Sequence, residues 1–173
     1  MKDSSVYTCI FDTPLGKAQA AARDNAIIGL WFIGQKYFPL KKITDNFIQK
    51  MNYPVFTELE NWLKEYFAGK KPAMKIKLAP ELSDKTSEFR LAVWKILTKI
   101  PYGKTTTYKA ISDKLISSGK KSAAQAVGGA VGHNPISILI PCHRVLGSDG
   151  SLTGFAGGID KKTFLLNLER GNV

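Results

Sequence analysis

One tripeptide in this chain, Cys142-His143-Arg144, combines residue types that do nucleophilic chemistry. A thiolate is a strong nucleophile, and a neighbouring imidazole or guanidinium stabilises it by lowering the pKa of the thiol. The tripeptide follows an apolar run at residues 136–140 and then Pro141, which predicts a thiol held where a buried strand ends. Taken alone, such a pair is more often a buried structural cysteine, so Cys142 needs support from elsewhere in the chain.

The remaining cysteine and histidine residues predict no second site. The chain has two cysteines, Cys9 and Cys142, and two histidines, His133 and His143. These are too few for a disulfide framework, and they lack the paired spacing of metal ligands. Cys9 lies in a predicted strand, where a small buried hydrophobe is the better interpretation. We therefore expect reduced thiols, no metal and no cofactor.

The charge balance predicts a polyanionic partner. The 173 residues include 25 Lys and Arg against 14 Asp and Glu, giving a net charge of +11. Such a charge attracts phosphate backbones without reading sequence, although a solvated basic surface is the alternative explanation. The sequence lacks both an apolar stretch long enough to span a membrane and a signal-peptide core. We expect a soluble protein in the cytoplasm, or in the nucleus if the source is eukaryotic.

Periodicity predicts an antiparallel meander followed by a helix in the first half of the chain. Turn residues at Thr13-Pro14-Leu15-Gly16 and Asp24-Asn25 separate three β-rich segments. The predicted elements are strands at 6–11, 17–23 and 26–32, a helix at 56–67 and a short strand at 74–78. The polar run at 79–85 indicates a linker, so we place a domain boundary there.

The second half is predicted to be mainly helical. Apolar spacing indicates helices at 87–100, 108–116 and 123–131, with Thr105-Thr106-Thr107 and Ser122 as candidate N-caps of the latter two. Two short helices joined by a Gly-containing connection are typical of a helix-turn-helix. The last helix is rich in Ala and Gly, which indicates close approach of its backbone to another helix or to DNA.

Residues 141–145, Pro-Cys-His-Arg-Val, resemble the active-site signature of the O6-alkylguanine-DNA alkyltransferases. The likeness extends through Ile100-Pro101-Tyr102-Gly103, residues 126–130, Asn134-Pro135 and residues 154–158, so that it covers about residues 86–170 densely. It implies an α+β fold: a ribonuclease-H-like N-terminal domain, an antiparallel sheet with a helix, at 1–80, and a winged helix-turn-helix alkyltransferase domain at 86–173. These fold names come from the resemblance and not from the periodicity of the sequence.

The implied activity is direct-reversal DNA repair. A monomer would transfer an alkyl group from O6-alkylguanine, and from O4-alkylthymine, in double-stranded DNA to its own Cys142. The product would be a stable thioether, so the transfer is irreversible and each molecule acts once, as a single-turnover methylated-DNA–[protein]-cysteine S-methyltransferase. The alkylated base must first leave the stacked duplex, which costs a few kcal/mol.

The resemblance implies a role for each matching residue around the thiol. His143 would draw the proton from Cys142 through a water, and Glu169 would orient His143 and stabilise its charge. Asn134 would brace the turn near the site. Tyr108 would meet the flipped base and its phosphate and help to protonate the departing guanine. Without the resemblance, Glu169 is better explained as a solvated acid, Asn134 as a helix terminator and Tyr108 as a half-buried aromatic residue.

The resemblance also implies contacts with the base and with DNA. The expected substrate-binding residues are Val145, Phe155 and Ala156. The expected DNA contacts are Gln125, Ala126, Gly128 and Arg144. Gln125 stands where the best-known family members have arginine, and glutamine is shorter and uncharged, so we expect base flipping to survive with weaker help. The small residues beside it fit an approach through the minor groove.

Three other functions compete with this hypothesis. A DNA-damage sensor, similar to the alkyltransferase-like proteins, would flip alkylated guanine without dealkylating it, but those proteins lack the cysteine that this chain has at Cys142. A thiol hydrolase would use Cys142 and His143, yet no oxyanion-hole motif accompanies them. A plain helix-turn-helix regulator would leave the cysteine block unexplained.

Overall fold

The computed structural model describes residues 5–39, 45–80 and 86–172. Its strands are β1 (Tyr7–Thr13), β2 (Gly16–Arg23), β3 (Ala26–Phe32), β4 (Ile48–Gln49), β5 (Thr106–Thr107) and β6 (Val145–Leu146). Its α-helices are α1 (Pro54–Phe67), α2 (Glu88–Leu97), α3 (Tyr108–Ser117), α4 (Ala124–Gly132) and α5 (Ile159–Arg170). The α+β class is confirmed, with the sheet first and the helices concentrated after it.

The N-terminal sheet has the strand order β3-β2-β1-β4. Strands β1 to β3 form the predicted antiparallel meander, and β4 adds a short parallel edge beside β1. Asp24 and Asn25 adopt positive φ angles of 50° and 53°, the conformation of a tight two-residue hairpin turn. Asn25 also accepts a hydrogen bond from Val55 N at 3.0 Å, so the turn anchors the start of α1.

Helix α1 packs against this sheet through its apolar face. Val55, Phe56, Leu59, Leu63 and Tyr66 are buried. The strand predicted at 74–78 is wrong, because only Leu78 pairs, as an isolated bridge to Ile27. The predicted linker at 79–85 lies mostly outside the described residues, since 81–85 are not described.

The three helices that follow form the expected helical unit, with one difference at a cap. Ser87 caps α2 by accepting from Arg90 N at 3.2 Å, and Thr107 caps α3 by accepting from Ala110 N at 3.1 Å. The prediction that Ser122 caps α4 is wrong: the N-cap residue is Ala123, which makes no capping bond. The Ser122 hydroxyl instead bonds the Ser112 hydroxyl at 3.1 Å, tying α3 to the connection before α4.

Residues 136–140 are buried, as predicted, but they do not form a strand. Ile136 makes a single bridge to Leu30 at the edge of β3, and the chain then turns, with Ile138 at a φ of +69°. The side chain of Asn134 takes over backbone groups that a neighbouring strand would have paired. A tight coil therefore leads into Pro141, where the sequence predicted an extended approach.

One hydrophobic core unites both halves of the molecule, with Phe32 and Tyr66 in the same cluster as Trp94 and Ile140. The indole of Trp94 donates to Ala130 O at 2.8 Å and so fixes α2 against α4. Within the described part of the chain, no helix has the length and apolarity needed to cross a bilayer. The Cys142–Arg144 segment lies near the junction of the two halves, where Tyr66 of α1 contacts His143.

Candidate active site

Cys142 begins a single 3-10 turn, Cys142–Arg144, rather than ending a strand. Its N–H donates to Ile140 O at 2.8 Å, and the residue is 5% exposed. The backbone at Cys142 and His143 acts to lower the pKa of the thiol, although burial outweighs it. The turn therefore holds the thiol on a hydrogen-bonded segment of backbone.

Asn134 braces this turn from the end of α4. Its Nδ2 donates to Ile140 O at 2.8 Å and to Ile136 O at 3.3 Å, while its Oδ1 accepts from Ile136 N at 3.0 Å. The same side chain also acts to lower the pKa of the Cys142 thiol. Asn134 follows the C-cap residue of α4, His133, and its side chain holds the backbone that leads into the Cys142 turn.

His143 and Glu169 form a buried pair beneath the thiol. His143 Nε2 lies 2.7 Å from Glu169 Oε1, and the two side chains are 0% and 1% exposed. Arg144 donates to the same carboxylate from Nε and Nη2, both at 2.8 Å. Gly103 N donates at 3.0 Å and Tyr66 OH at 2.7 Å. The carboxylate oxygens are therefore satisfied on every side.

The pKa values of the buried pair follow from these contacts. Burial raises the pKa of Glu169, but the hydrogen bonds and charges of His143 and Arg144 outweigh it and hold that pKa well below its usual range. Burial lowers the pKa of His143, and this outweighs the opposing pull of Glu169. The resting imidazole is neutral, with its Nε2 proton directed at an ionised carboxylate.

The other imidazole nitrogen is the one available for chemistry. With Nε2 protonated, Nδ1 is an acceptor, and within the described residues it is buried without a protein hydrogen-bond partner. Burial raises the pKa of the Cys142 thiol, while Asn134, Lys162 and the turn N–H groups act in the opposite direction. A protonated thiol beside a neutral base with a free acceptor is the resting state of an activatable nucleophile.

Tyr108 stands at the mouth of the site. Its hydroxyl donates to Thr153 O at 2.7 Å. A cavity of about 420 Å³ opens beside it, and its lining includes Gln125 and Gly128 of α4 together with Gly154. Helix α4, which carries the small side chains, thus lines the cavity beside Tyr108.

The loop expected to recognise the base is held by both halves of the molecule. The Phe155 ring is 9% exposed and folds over Gly157, where an added Cβ would lie 2.7 Å from the ring. Lys36 N, in the loop after β3, donates to Ala156 O at 3.0 Å. Val145 is fully buried at the start of β6. Of these residues, Val145 follows the Cys142–Arg144 turn directly.

The DNA-contact role expected of Arg144 needs correction. Its side chain is 10% exposed, and the guanidinium is bound to Glu169 and to Ile100 O. A side chain enclosed in this way cannot reach a phosphate without breaking a buried ion pair. Gln125 and Ala126, in contrast, are exposed on α4, and Gly128 is half-buried.

Two residues of the site were missed at the level of sequence. Tyr66 lies on α1, 103 positions before the Glu169 that its hydroxyl contacts. Lys162 on α5 is 0% exposed. Tyr66 sits on the apolar face of α1 and matches an ordinary core aromatic, and a lysine on a terminal helix matches an ordinary solvated one. The Cys-His pair alone gave no signal that could have singled them out.

Comparison with known proteins decides the family. Residues 6–80 match the model of the 6-O-methylguanine DNA methyltransferase ribonuclease-like domain, and residues 88–171 match the DNA-binding domain model of the same methyltransferase. A protein of Methanosarcina barkeri named "Methylated-DNA--protein-cysteine methyltransferase" is 43% identical over 169 residues, covering 97% of this chain and 99% of its own. The chain belongs to the 6-O-methylguanine DNA methyltransferase family.

Other relatives agree with this membership. A protein of the same name from Methanosarcina mazei is 45% identical over 168 residues, covering 97% of this chain and 99% of its own. The crystal structure of Mycobacterium tuberculosis OGT in complex with DNA superposes with a TM-score of 0.81 at 34% identity, covering 96% of this chain and 94% of that one. Both domains of the family fold are therefore present in this member.

Proposed function

We propose that this protein repairs alkylated DNA by moving the alkyl group of O6-alkylguanine onto Cys142. One observation carries the proposal: in the buried Glu169–His143 pair, His143 Nδ1 is an acceptor with no partner among the described residues, and His143 directly follows the thiol residue. The names of the relatives, methylated-DNA–protein-cysteine methyltransferases, support the same reaction. O4-alkylthymine presents a similar saturated carbon on oxygen and is the second substrate of the proposal.

The reaction follows from the arrangement of the groups. His143 Nδ1 takes the thiol proton through a water, and Glu169 stabilises the imidazolium that results. The sulfur of Cys142 attacks the saturated alkyl carbon, a carbon–sulfur bond forms, and the carbon–oxygen bond electrons pass to guanine. Tyr108 supplies a proton to the departing base and regains one as His143 releases the thiol proton to water, so that overall one proton passes from the thiol to guanine. The thioether resists hydrolysis, and each molecule therefore acts once.

The approach to DNA involves the surface of α4. The net charge of +11 attracts the duplex, and small residues such as Ala126 and Gly128 allow its backbone to approach a groove. Gln125 is exposed at the same end of the helix, where it fills the space that the flipped base leaves. The proposal includes a monomer whose domains are residues 1–80 and 86–173, acting in the cytoplasm, or in the nucleus of a eukaryotic source.

Mass spectrometry tests the proposal directly. The protein is incubated with a duplex oligonucleotide that contains O6-methylguanine, and the intact mass is then measured. We expect a gain of one methylene at one equivalent of DNA, mapped to the Cys142 peptide and absent in Cys142→Ala. The matched control Cys9→Ala keeps the gain, because Cys9 lies in β1.

Two outcomes would refute it. An unchanged wild-type mass with retained binding of the oligonucleotide would favour the damage-sensor function. Repeated turnover of small thioesters with an unmodified Cys142 would favour a hydrolase.

A further inference from the structure

Tyr66 places a buried hydroxyl in the site, and the reaction above assigns it no role. The residue lies on α1, in the N-terminal half, with a relative exposure of 0%. Its hydroxyl donates to Glu169 Oε1 at 2.7 Å, and its oxygen lies 3.4 Å from His143 Nε2. His143 Nε2 is itself 2.7 Å from the same Oε1. The N-terminal half therefore reaches into the pair that serves the thiol.

Glu169 Oε1 receives more hydrogen bonds than it has lone pairs. Arg144 Nη2 donates to it at 2.8 Å, in addition to Tyr66 and His143. A carboxylate oxygen has two lone-pair sites, so the three donors share its charge. The Tyr66 hydroxyl therefore weakens the hydrogen bond between this oxygen and His143. Because that bond acts to raise the pKa of His143, weakening it favours the neutral imidazole.

The charges around His143 leave this balance to Glu169. The groups that surround the ring are the cations Arg144 and Lys162, the acid Glu169, and the neutral Tyr66, Tyr102 and Cys142. Burial and the two cations lower the pKa of His143, and Glu169 raises it. Burial is the largest cause that raises the pKa values of both tyrosines, so neither carries charge at pH 7. The protonation of His143 thus depends on how strongly Glu169 Oε1 attracts Nε2.

We propose that Tyr66 is a positioning residue for the base: its hydroxyl shares Glu169 Oε1 with His143 and so keeps the imidazole neutral until the thiol proton arrives. The inference rests on the proposed role of His143 in taking that proton. It gives the N-terminal half a part in the chemistry as well as in the fold, because α1 and α5 meet at this carboxylate.

The Tyr66 ring is held by packing as well as by its hydroxyl. It stacks on Trp62 with the ring centroids 5.1 Å apart and meets the edge of Tyr102 at 5.9 Å. Tyr66→Phe keeps the ring and removes the hydroxyl. Tyr102→Phe is the matched control on the neighbouring ring, because the Tyr102 hydroxyl is buried without a hydrogen-bond partner in the described part of the chain.

The first test measures the titration of His143 by NMR. The chain has two histidines, His133 and His143, so 15N-histidine labelling gives two sets of ring signals, which His133→Gln assigns. In Tyr66→Phe we expect the pKa of His143 to rise by about 0.5–1 unit, the equivalent of one ordinary hydrogen bond. In Tyr102→Phe the His143 titration should match that of wild type.

Two results in this experiment would overturn the proposal: an unshifted His143 titration in Tyr66→Phe, or an equal shift in Tyr102→Phe. A merely structural role would lower the thermal midpoint of Tyr66→Phe without moving the titration. The wild-type spectrum supplies a test without any substitution at Tyr66. At pH 7 it should show a protonated Nε2 and an unprotonated Nδ1, and a proton on Nδ1 would refute the inference.

Single-turnover methyl transfer from O6-methylguanine gives the functional readout. The rate constant at saturating DNA should fall in acid as His143 becomes protonated. In Tyr66→Phe this acid limb should move to higher pH with the His143 titration, so transfer on the limb is about three- to tenfold slower. Binding of the oligonucleotide should be retained, because the Tyr66 side chain is fully buried. An acid limb at the same pH in both proteins would contradict the proposal.

The two proposals fail separately. If the wild-type protein transfers no methyl group while the His143 titration shifts in Tyr66→Phe, the proposed function is overturned and the effect of Tyr66 on the pair stands. If transfer to Cys142 occurs and neither the titration nor the acid limb moves, the proposed function stands and the role of Tyr66 is overturned.

Discussion

Replacing Glu169 by glutamine tests whether its carboxylate stabilises the site as the contacts require. Glu169→Gln keeps the shape of the side chain but removes the charge that pairs with Arg144 and orients His143. Removing one partner of a buried ion pair strands the other, which costs about 3–5 kcal/mol. The Glu169 side chain is 1% exposed, so water cannot take over. We expect the free energy of unfolding at pH 7 to fall by about that amount.

The pH dependence of this loss has a definite sign. The pKa of Glu169 is lower in the folded protein than the ordinary value of 4.5, so its stabilisation is fully present above that pH. The stabilisation disappears as the pH falls towards the folded pKa, because protonation removes the charge that the variant lacks already. Urea unfolding of wild type and Glu169→Gln should therefore differ most near neutrality and converge in acid.

A double-mutant cycle isolates the ion pair. Adding Arg144→Met to Glu169→Gln removes the stranded guanidinium, and we expect it to restore about 0.5–3 kcal/mol relative to additivity. Glu60→Gln serves as the control, because it breaks an ion pair with Lys64 on the surface, where the Glu60 side chain is 49% exposed. This loss should cost less than about 1 kcal/mol. A loss below about 1 kcal/mol for Glu169→Gln, or one independent of pH, would refute the reasoning.

Three further substitutions test other parts of the site. Asn134→Ala leaves Ile136 N without its acceptor and removes one of the two donors to Ile140 O, so thermal or urea unfolding should show a loss of about 1–3 kcal/mol. Gly154→Ala places a Cβ 2.7 Å from the Tyr108 hydroxyl, so single-turnover repair should slow at least tenfold. The control Gly119→Ala has a similar positive φ but no atom near the added Cβ, so it should lower stability without slowing repair. Gln125→Arg should speed repair of duplex more than of single-stranded substrate, and equal gains on both would contradict a role in base flipping.

The sequence by itself determined the local elements of this protein. The alternation of apolar and polar residues, together with the turn residues, located the three strands of the meander. This is a local signal, because side chains two positions apart on a strand lie on the same face of the sheet. Helical spacing placed α1 to α3, and the Thr107 cap was visible in the chain for the same local reason. The block around Cys142 was likewise continuous in sequence, so its resemblance to the alkyltransferases could be recognised without a structure.

The tertiary structure decided what the isolated residues do. The apolar run at 136–140 predicted a strand, but a strand needs a partner along its length, and Asn134 satisfies its backbone instead. Arg144 was expected on DNA, yet folding places it against Glu169, 25 positions away. The burial of Lys162 likewise depends on carbonyls of other segments. Charge pairing and burial join positions distant in the chain, and no local pattern encodes them.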